Sequence, residues 1–224
     1  SRAIDQLKTT ANNFNDSLYT TNKNVYQLLR YGVKVKADAG DNFKTIHLID
    51  WKNFKDNDFA IAEEVTIIGN HTKRPDIVLY VNGIALGVLE LKRSTVSISE
   101  GIRQSIVNQQ DDFIKPFFAT VQFIFAGNDT EGLRYGTIGT PEKYYLKWKE
   151  DIKDNSRNLL DKYLLKMCNK ERFLEIIYDF ILFDGGVKKL PRVHQYFGIK
   201  EAQKYIKKYE SGLYGKLRGV EKVL

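Results

Sequence analysis

Residues 74–92 read RPDIVLYVNGIALGVLELK, and the fold of the chain turns on how this stretch pairs with itself. Asp76–Tyr80 and Ile84–Lys92 are two runs rich in β-branched and apolar residues. Asn82-Gly83 lies between them, and both residues tolerate the positive φ that a tight two-residue hairpin turn needs. The pattern predicts an antiparallel hairpin of 77–81 with 84–91. Side chains alternate along a strand, so Glu90 and Lys92 share one face while Leu89 and Leu91 take the other. Asp76 stands at the start of the first strand, and the hairpin brings the end of the second strand back beside it. Asp76 is therefore expected near Glu90 and Lys92 at the open end, although 14 positions separate the two carboxylates.

That set of residues suits one chemistry in particular. Two carboxylates can hold a hard divalent cation through oxygen. Such a cation polarises a phosphate, lowers the pKa of a bound water and neutralises developing charge. A neighbouring lysine can orient or deprotonate the attacking water and stabilise the transition state. The competing reading is an ordinary ion pair at a strand end. An Asp…Glu-x-Lys match is weak alone; here it terminates a hairpin whose body is apolar on both faces, so solubility does not explain it.

Outward from the hairpin, residues 3–14 and 22–31 read as helices, the second capped by Asn22 or Asn24 and ended by Gly32. Lys44–Leu48 alternates as a strand and runs on to Ile49-Asp50-Trp51; Phe59–Ile68 reads as another, broken by Gly69-Asn70. Ser99 with Glu100 is placed to cap a helix over about 100–114. Val121–Ala126 is a buried strand closed by Gly127-Asn128-Asp129, and 132–140 is a further hairpin region. From Asp151 onward the apolar period turns helical, Pro191 interrupts it, and Ile199–Tyr209 is a last helix. The expectation is an α/β (α+β) fold: a central mixed sheet flanked by helices, with a C-terminal helical segment. Composition and period change near 150, which divides the chain into 1–150 and 151–224.

Composition narrows the classes. Apolar residues make up 42% and charged residues 28%, ordinary for a globular chain. No apolar run approaches the ~20 residues of a membrane helix, and the polar, helix-like start does not read as a signal peptide. The opening Ser1-Arg2-Ala3, without Met, has the look of an excised fragment. Cys168 is the only cysteine, which excludes intramolecular disulfides and cysteine-rich zinc sites and fits a reducing cytoplasm. The net charge is +7, of which residues 1–150 carry +1 (19 Lys/Arg against 18 Asp/Glu) and 151–224 carry +6 (16 against 10). A basic segment beside a near-neutral domain suits a nucleic-acid partner, and equally a solvated lysine-rich helical surface.

RPDIVLYVNGIALGVLELK resembles the PD-(D/E)xK nuclease core. More narrowly, the chain is similar to the amino-terminal nuclease domain of the restriction (motor, R) subunit of type I restriction–modification enzymes. The narrower likeness rests on segments in one order: NKNVYQLLRYGVKV, IHLIDWKNFKDNDFAIAEE, the hairpin, SEGIRQSIVNQ, FIFAGNDTEGLRYGTI, YYLKWKE, NKERFLEIIYDFILFD and RVHQYFGIKEA. On matching positions, the resemblance implies catalytic Asp76, Glu90 and Lys92. It also implies Mg²⁺ (with Mn²⁺ as a substitute) held by Asp76, Glu90 and the Leu91 carbonyl. Gln104 matches the glutamine of the family's Q-x-x-x-Y helix motif, with Asn108 where the tyrosine belongs; Gln104 and Arg74 are the auxiliary or DNA-contacting candidates. Glu63 and Glu64 are local candidates for a further acidic residue that the family draws from a preceding helix, and His71 is a candidate for the rim.

Arg192-Val193-His194-Gln195 resembles the stretch before the family's first motor domain, which makes Gln195 an adenine contact in a full-length subunit. Residues 211–217 (SGLYGKL) lack the spacing and the hydroxyl of a phosphate-binding loop, so ATP belongs only to the full-length subunit. Tyr144, Tyr145 and Trp148, interleaved with Lys143, Lys147 and Lys149, are either a base-stacking surface or a packing face. The function so implied is cleavage of double-stranded DNA by an endonuclease domain in a prokaryotic cytoplasm, with methyltransferase and specificity subunits as partners and no membrane. The alternatives are a non-catalytic docking module of the same subunit and another nuclease of the same core.

Overall fold

The structure, a computed structural model, describes residues 1–220 apart from 14, 37, 39, 151 and 152, and side chains as far as residue 209. Two compact units divide it, Ser1–Leu190 and Pro191–Leu224. This division lies well beyond the change in composition near 150.

The first unit is built on a six-stranded sheet in which every neighbouring strand pair is antiparallel except one. Two helices, α1 (Arg2–Ala11) and α2 (Leu18–Tyr31), lead into a small separate hairpin of β1 (Val33–Val35) and β2 (Lys44–Ile46). The main sheet follows, in the spatial order of its strands: β3 (Phe59–Glu63), β4 (Ile77–Val81), β5 (Ile84–Leu91), β6 (Phe123–Asn128), β7 (Gly132–Gly136) and β8 (Leu146–Lys147). β5 and β6 are parallel and need a crossover, which helix α3 (Ile98–Asn108) supplies. Then come α4 (Leu159–Met167), α5 (Lys170–Glu175) with a π-turn at Ile176–Phe180, and a second small hairpin of β9 (Leu182–Asp184) and β10 (Val187–Lys189). The fold is thus the mixed-sheet α/β arrangement the sequence predicts. The second unit holds one long helix, α6 (Val193–Val220).

The apolar face of α3 explains its place. Ile98 and Ile102 pack with Val88 of β5, Ile124 and Ala126 of β6, and Phe118 in one buried cluster. Each of the larger of these side chains, Ala126 aside, contributes about 1.5–3 kcal/mol on leaving water. β5 is buried from Ile84 to Glu90 because it is a central strand covered on both faces, which is why its sequence barely alternates.

A buried polar knot ties the later segments to this core. Asn22 Nδ2 donates to the carbonyls of Phe118, Ala119 and Val121 at 2.9–3.0 Å, and Asn22 Oδ1 accepts from Lys188 Nζ at 2.9 Å. Lys188 Nζ also donates to Gln122 Oε1 at 2.7 Å. Burial holds the Lys188 ammonium well below its ordinary pKa. The ammonium therefore depends on its ring of amide oxygens.

Several local expectations are corrected. Asn22 is not a cap: α2 starts four residues earlier, where Ser17 accepts from Thr20 N at 3.2 Å. α1 ends at Ala11 rather than 14, and Phe14 itself lies outside the described residues. α3 is capped by Ser97, not Ser99, and ends at Asn108 rather than 114, where Ile114 N turns back to the Asn108 carbonyl. The strand expected through Trp51 stops at Ile46; Asp50 Oδ1 accepts from Lys52 N and Asn53 N and makes a side-chain turn instead. The strand expected to Ile68 stops at Glu63, because Glu64 takes φ +50°. The β9–β10 hairpin was unexpected, although Gly185 and Gly186, both at positive φ, carry its signal. The last helix runs from Val193 to Val220 instead of from Ile199 to Tyr209, so residues 211–217 lie within it. Among the described residues no helix is long and apolar enough to cross a membrane.

Candidate active site at the open end of the hairpin

The turn at Asn82 (φ +51°) and Gly83 (φ +76°) pairs Val81 with Ile84, as a two-residue turn should. Asn82 is held from three sides: its Oδ1 accepts from Asp58 N, and its Nδ2 donates to the Leu48 carbonyl and to Asn57 Oδ1, at 2.8–2.9 Å. Between Leu79 and Tyr80 the register shifts. Tyr80 faces Ala85 but Leu79 faces Gly87, so Leu86 is an extra residue on β5. Beyond this bulge Ile77 faces Leu89, and the next step places Asp76 opposite Glu90. The consequence is large, because a one-residue slip turns a strand's side chains to the other face. Without the bulge Asp76 would oppose Leu89, and Glu90 would point away from it.

Asp76 is oriented by the backbone of the neighbouring strand: its Oδ2 accepts from Leu91 N at 2.6 Å. Within a strand a residue's N–H and C=O point the same way, so the Leu91 carbonyl turns toward this side too. Glu90 is 1% exposed and its carboxyl is in hydrogen-bond contact with that of Asp76. Gln104, on α3, spans the remaining pair. Its Nε2 donates to Glu90 Oε2 at 2.8 Å and its Oε1 accepts from Lys92 Nζ at 2.8 Å. The Lys92 backbone is fixed by donation to the Gly127 carbonyl at 2.9 Å.

Burial, and next the negative charge of Asp76, push Glu90 up to about 8; the nearby Lys92 ammonium works the other way. Near neutral pH Glu90 consequently keeps its proton. Two carboxyl groups in contact, one of them buried, with a backbone carbonyl turned to the same side, form an oxygen donor set that suits a hard divalent cation. The charge of such a cation would relieve the repulsion that holds the proton.

The other sequence candidates have partners of other kinds. Arg74 makes an exposed ion pair with Glu64 at 3.5 Å. Glu64 N donates to the Asp76 carbonyl, while Glu63 pairs with Ile77 along the sheet and is exposed. His71 stacks on Phe113, with ring centroids 5.5 Å apart. Gln195 Oε1 accepts from Arg192 N within the second unit. Tyr144, Tyr145 and Trp148 do not form a stacking surface: Tyr145 and Trp148 are buried and only Tyr144 is exposed. Asn108, four residues past Gln104, is buried. No group of three His, Cys, Asp or Glu gathers among the described residues, so the acidic set is the Asp76–Glu90 pair.

One supporting element escaped the sequence reading. Asn128 Nδ2 donates to the Val96 carbonyl, Thr130 Oγ1 to the Ser94 carbonyl, and Glu131 Oε1 accepts from Ile98 N, at 2.8–3.1 Å. The turn after β6 thereby fixes both the loop after Lys92 and the start of α3. Gly127-Asn128-Asp129 is visible in the sequence as a turn, but nothing there says what the turn grips.

Comparison with known proteins identifies relatives of the chain. A model of the family described as the type I restriction enzyme R protein N terminus (HSDR_N) matches residues 2–143. A Methanocaldococcus jannaschii protein named as the MjaVIIP endonuclease subunit of a type I restriction enzyme is 32% identical over 203 residues, covering 82% of this chain and 18% of its own length. Another from that organism, the MjaVIIIP endonuclease subunit, is 28% identical over 88% of this chain and 20% of its own. The type I restriction enzyme HindI endonuclease subunit of Haemophilus influenzae is 27% identical over 83% and 19%. The chain thus spans about one fifth of the length of these relatives.

Proposed function

The chain belongs to the type I restriction enzyme R protein N-terminal family, and on that premise we propose that it is the divalent-metal-dependent endonuclease domain of such a subunit, hydrolysing phosphodiester bonds of double-stranded DNA. Site recognition and ATP-driven translocation are then supplied by other parts of a cytoplasmic complex with methyltransferase and specificity subunits. The observation that carries this reading is the meeting of Asp76, Glu90 and Lys92 at one end of the hairpin, joined through Gln104.

Asp76, Glu90 and the Leu91 carbonyl would hold Mg²⁺ or Mn²⁺. When bound, the ion supplies Lewis-acid polarisation of a phosphate and a more acidic water. The protein's own groups do the positioning. Leu91 N fixes the Asp76 carboxylate. Gln104 holds the Lys92 ammonium on the same side as Glu90, where it can orient the attacking water and offset charge gathering on the phosphate. Burial of Glu90 keeps bulk water from its own carboxyl and strengthens the electrostatic contacts that it makes.

The test is replacement of Asp76 by Ala in the assembled restriction complex. DNA cleavage is expected to vanish while ATP hydrolysis and translocation continue. An Asp76→Ala complex that still cuts would place the active site elsewhere.

A further inference from the structure

Gly101 occupies the middle of α3, where glycine is disfavoured relative to alanine. The helix pays that cost without a positive φ or a cap to explain it. The explanation lies beneath: a Cβ built on Gly101 would lie 3.3 Å from Ala126 Cβ, 3.4 Å from Glu90 Cβ and 3.5 Å from Lys92 Cε. Two of these three neighbours belong to the carboxylate–lysine cluster, and the third is the β6 residue paired with Glu90. Gln104 follows Gly101 by three residues and so projects from the same face of the helix. Both of its hydrogen bonds, to Glu90 and to Lys92, are 2.8 Å long.

We infer that Gly101 is a positioning residue: its bare backbone lets α3 approach β5 and β6 closely enough for the Gln104 amide to bridge Glu90 and Lys92. The inference rests on the endonuclease reading of that cluster. A methyl group at 101 presses first on Ala126 and moves the helix by a few tenths of an ångström. A branched side chain there moves it further. Hydrogen bonds to two partners on different residues cannot both follow such a shift. Misplacement by 1 Å near reacting groups can cost ~100-fold in rate.

The experiment compares Gly101→Ala, Gly101→Val, Ala126→Gly and the Gly101→Ala/Ala126→Gly pair with Asp76→Ala, all in the assembled complex. Gly101→Ala is expected to cut about tenfold more slowly and Gly101→Val about 100-fold more slowly, with ATP hydrolysis unchanged and a thermal midpoint no lower than wild type for the alanine variant. Removing the Ala126 methyl in the double variant should recover most of the Gly101→Ala loss. In the 224-residue chain without metal, the Gln104 side-chain amide signals in NMR should shift toward free-amide positions in Gly101→Ala and return in the double variant. Wild-type cleavage by Gly101→Ala, or unmoved Gln104 signals, overturns the inference. So does an activity loss that merely tracks loss of folded protein, or one that Ala126→Gly fails to relieve. Should Asp76→Ala still cut, it is the endonuclease reading that falls; an inactive Asp76→Ala beside a fully active Gly101→Ala removes the role of Gly101 alone.

Discussion

Gln104 Nε2 donates to Glu90 Oε2 at 2.8 Å across the gap between α3 and β5. The orientation of this amide follows from chemistry. Its oxygen must face the Lys92 ammonium, which only donates, and its nitrogen must then face the carboxyl. One neutral side chain thus couples an acid and a base that lie two positions apart on a strand, and fixes both without adding charge.

Gln104→Ala breaks both bonds and frees Lys92 from its place. Loss of such a supporting partner commonly costs ~10–100-fold in activity. That drop is expected in the DNA cleavage rate of the assembled complex, with ATP hydrolysis intact. Gln104→Glu presents an anion to Glu90 and should be at least as damaging. An unaltered cleavage rate would reduce Gln104 to a surface amide.

Cation binding can be read directly. Calorimetric titration of the 224-residue chain with Mn²⁺ should give one binding process that Asp76→Ala and Glu90→Ala each remove. Chelation should return the wild-type chain to its starting thermal midpoint. Retained binding in Glu90→Ala would assign the ion to other carboxylates.

Glu90 should make metal-free stability fall with rising pH. Its pKa lies near 4.5 in an unfolded chain and at about 8 in the fold. Below about pH 4.5 both states hold the proton, and the folded state keeps its full stability. Between 4.5 and 8 the unfolded chain ionises first, so stability declines with pH, and the loss is complete above about 8. One pKa unit corresponds to about 1.4 kcal/mol. Glu90→Gln abolishes this penalty, and its thermal midpoint should exceed wild type at pH 8 while matching it near pH 4. Parallel pH profiles for the two proteins would show that Glu90 is not the group responsible.

Asn22 joins α2, the 118–122 segment and β10 as both donor and acceptor. Asn22→Ala leaves three carbonyls without that donor and Lys188 without one acceptor. A loss of about 2–4 kcal/mol is expected, since buried polar groups stripped of partners cost about 1–3 kcal/mol each and the losses overlap. Urea unfolding of the chain measures it. A change below about 0.5 kcal/mol would mean that water replaces the side chain.

Legibility in the sequence varied with the range of the interaction. Turn chemistry at Asn82-Gly83 and the apolar runs around it are local, and the β4–β5 hairpin emerged as expected. Caps were misread because Ser17, Asn22 and Asn24 all have capping side chains, and only packing against Phe118 and Ala119 decides that Asn22 points inward. Tyr145 and Trp148 looked able to stack bases because aromatic–basic alternation carries no information about which ring the sheet will cover. The change of composition near 150 likewise gave no hint that Lys188 is buried against Asn22 within the first compact unit.

The amino-acid order alone determined that Asp76, Glu90 and Lys92 lie at the same end of one hairpin, since a two-residue turn leaves the chain no other return path. It could not determine that Asp76 shares a face with the other two. A plain hairpin from that turn would set Asp76 against Leu89, and the extra residue Leu86 corrects the parity by one. A bulge arises from how Leu79, Gly87 and their neighbours fit a sheet covered on both sides, where a would-be Cβ on Gly87 meets Leu79 Cδ1 at 3.0 Å. That fit is a property of packing, which pairs residues far apart in the chain, and so it appears only when the sheet is complete.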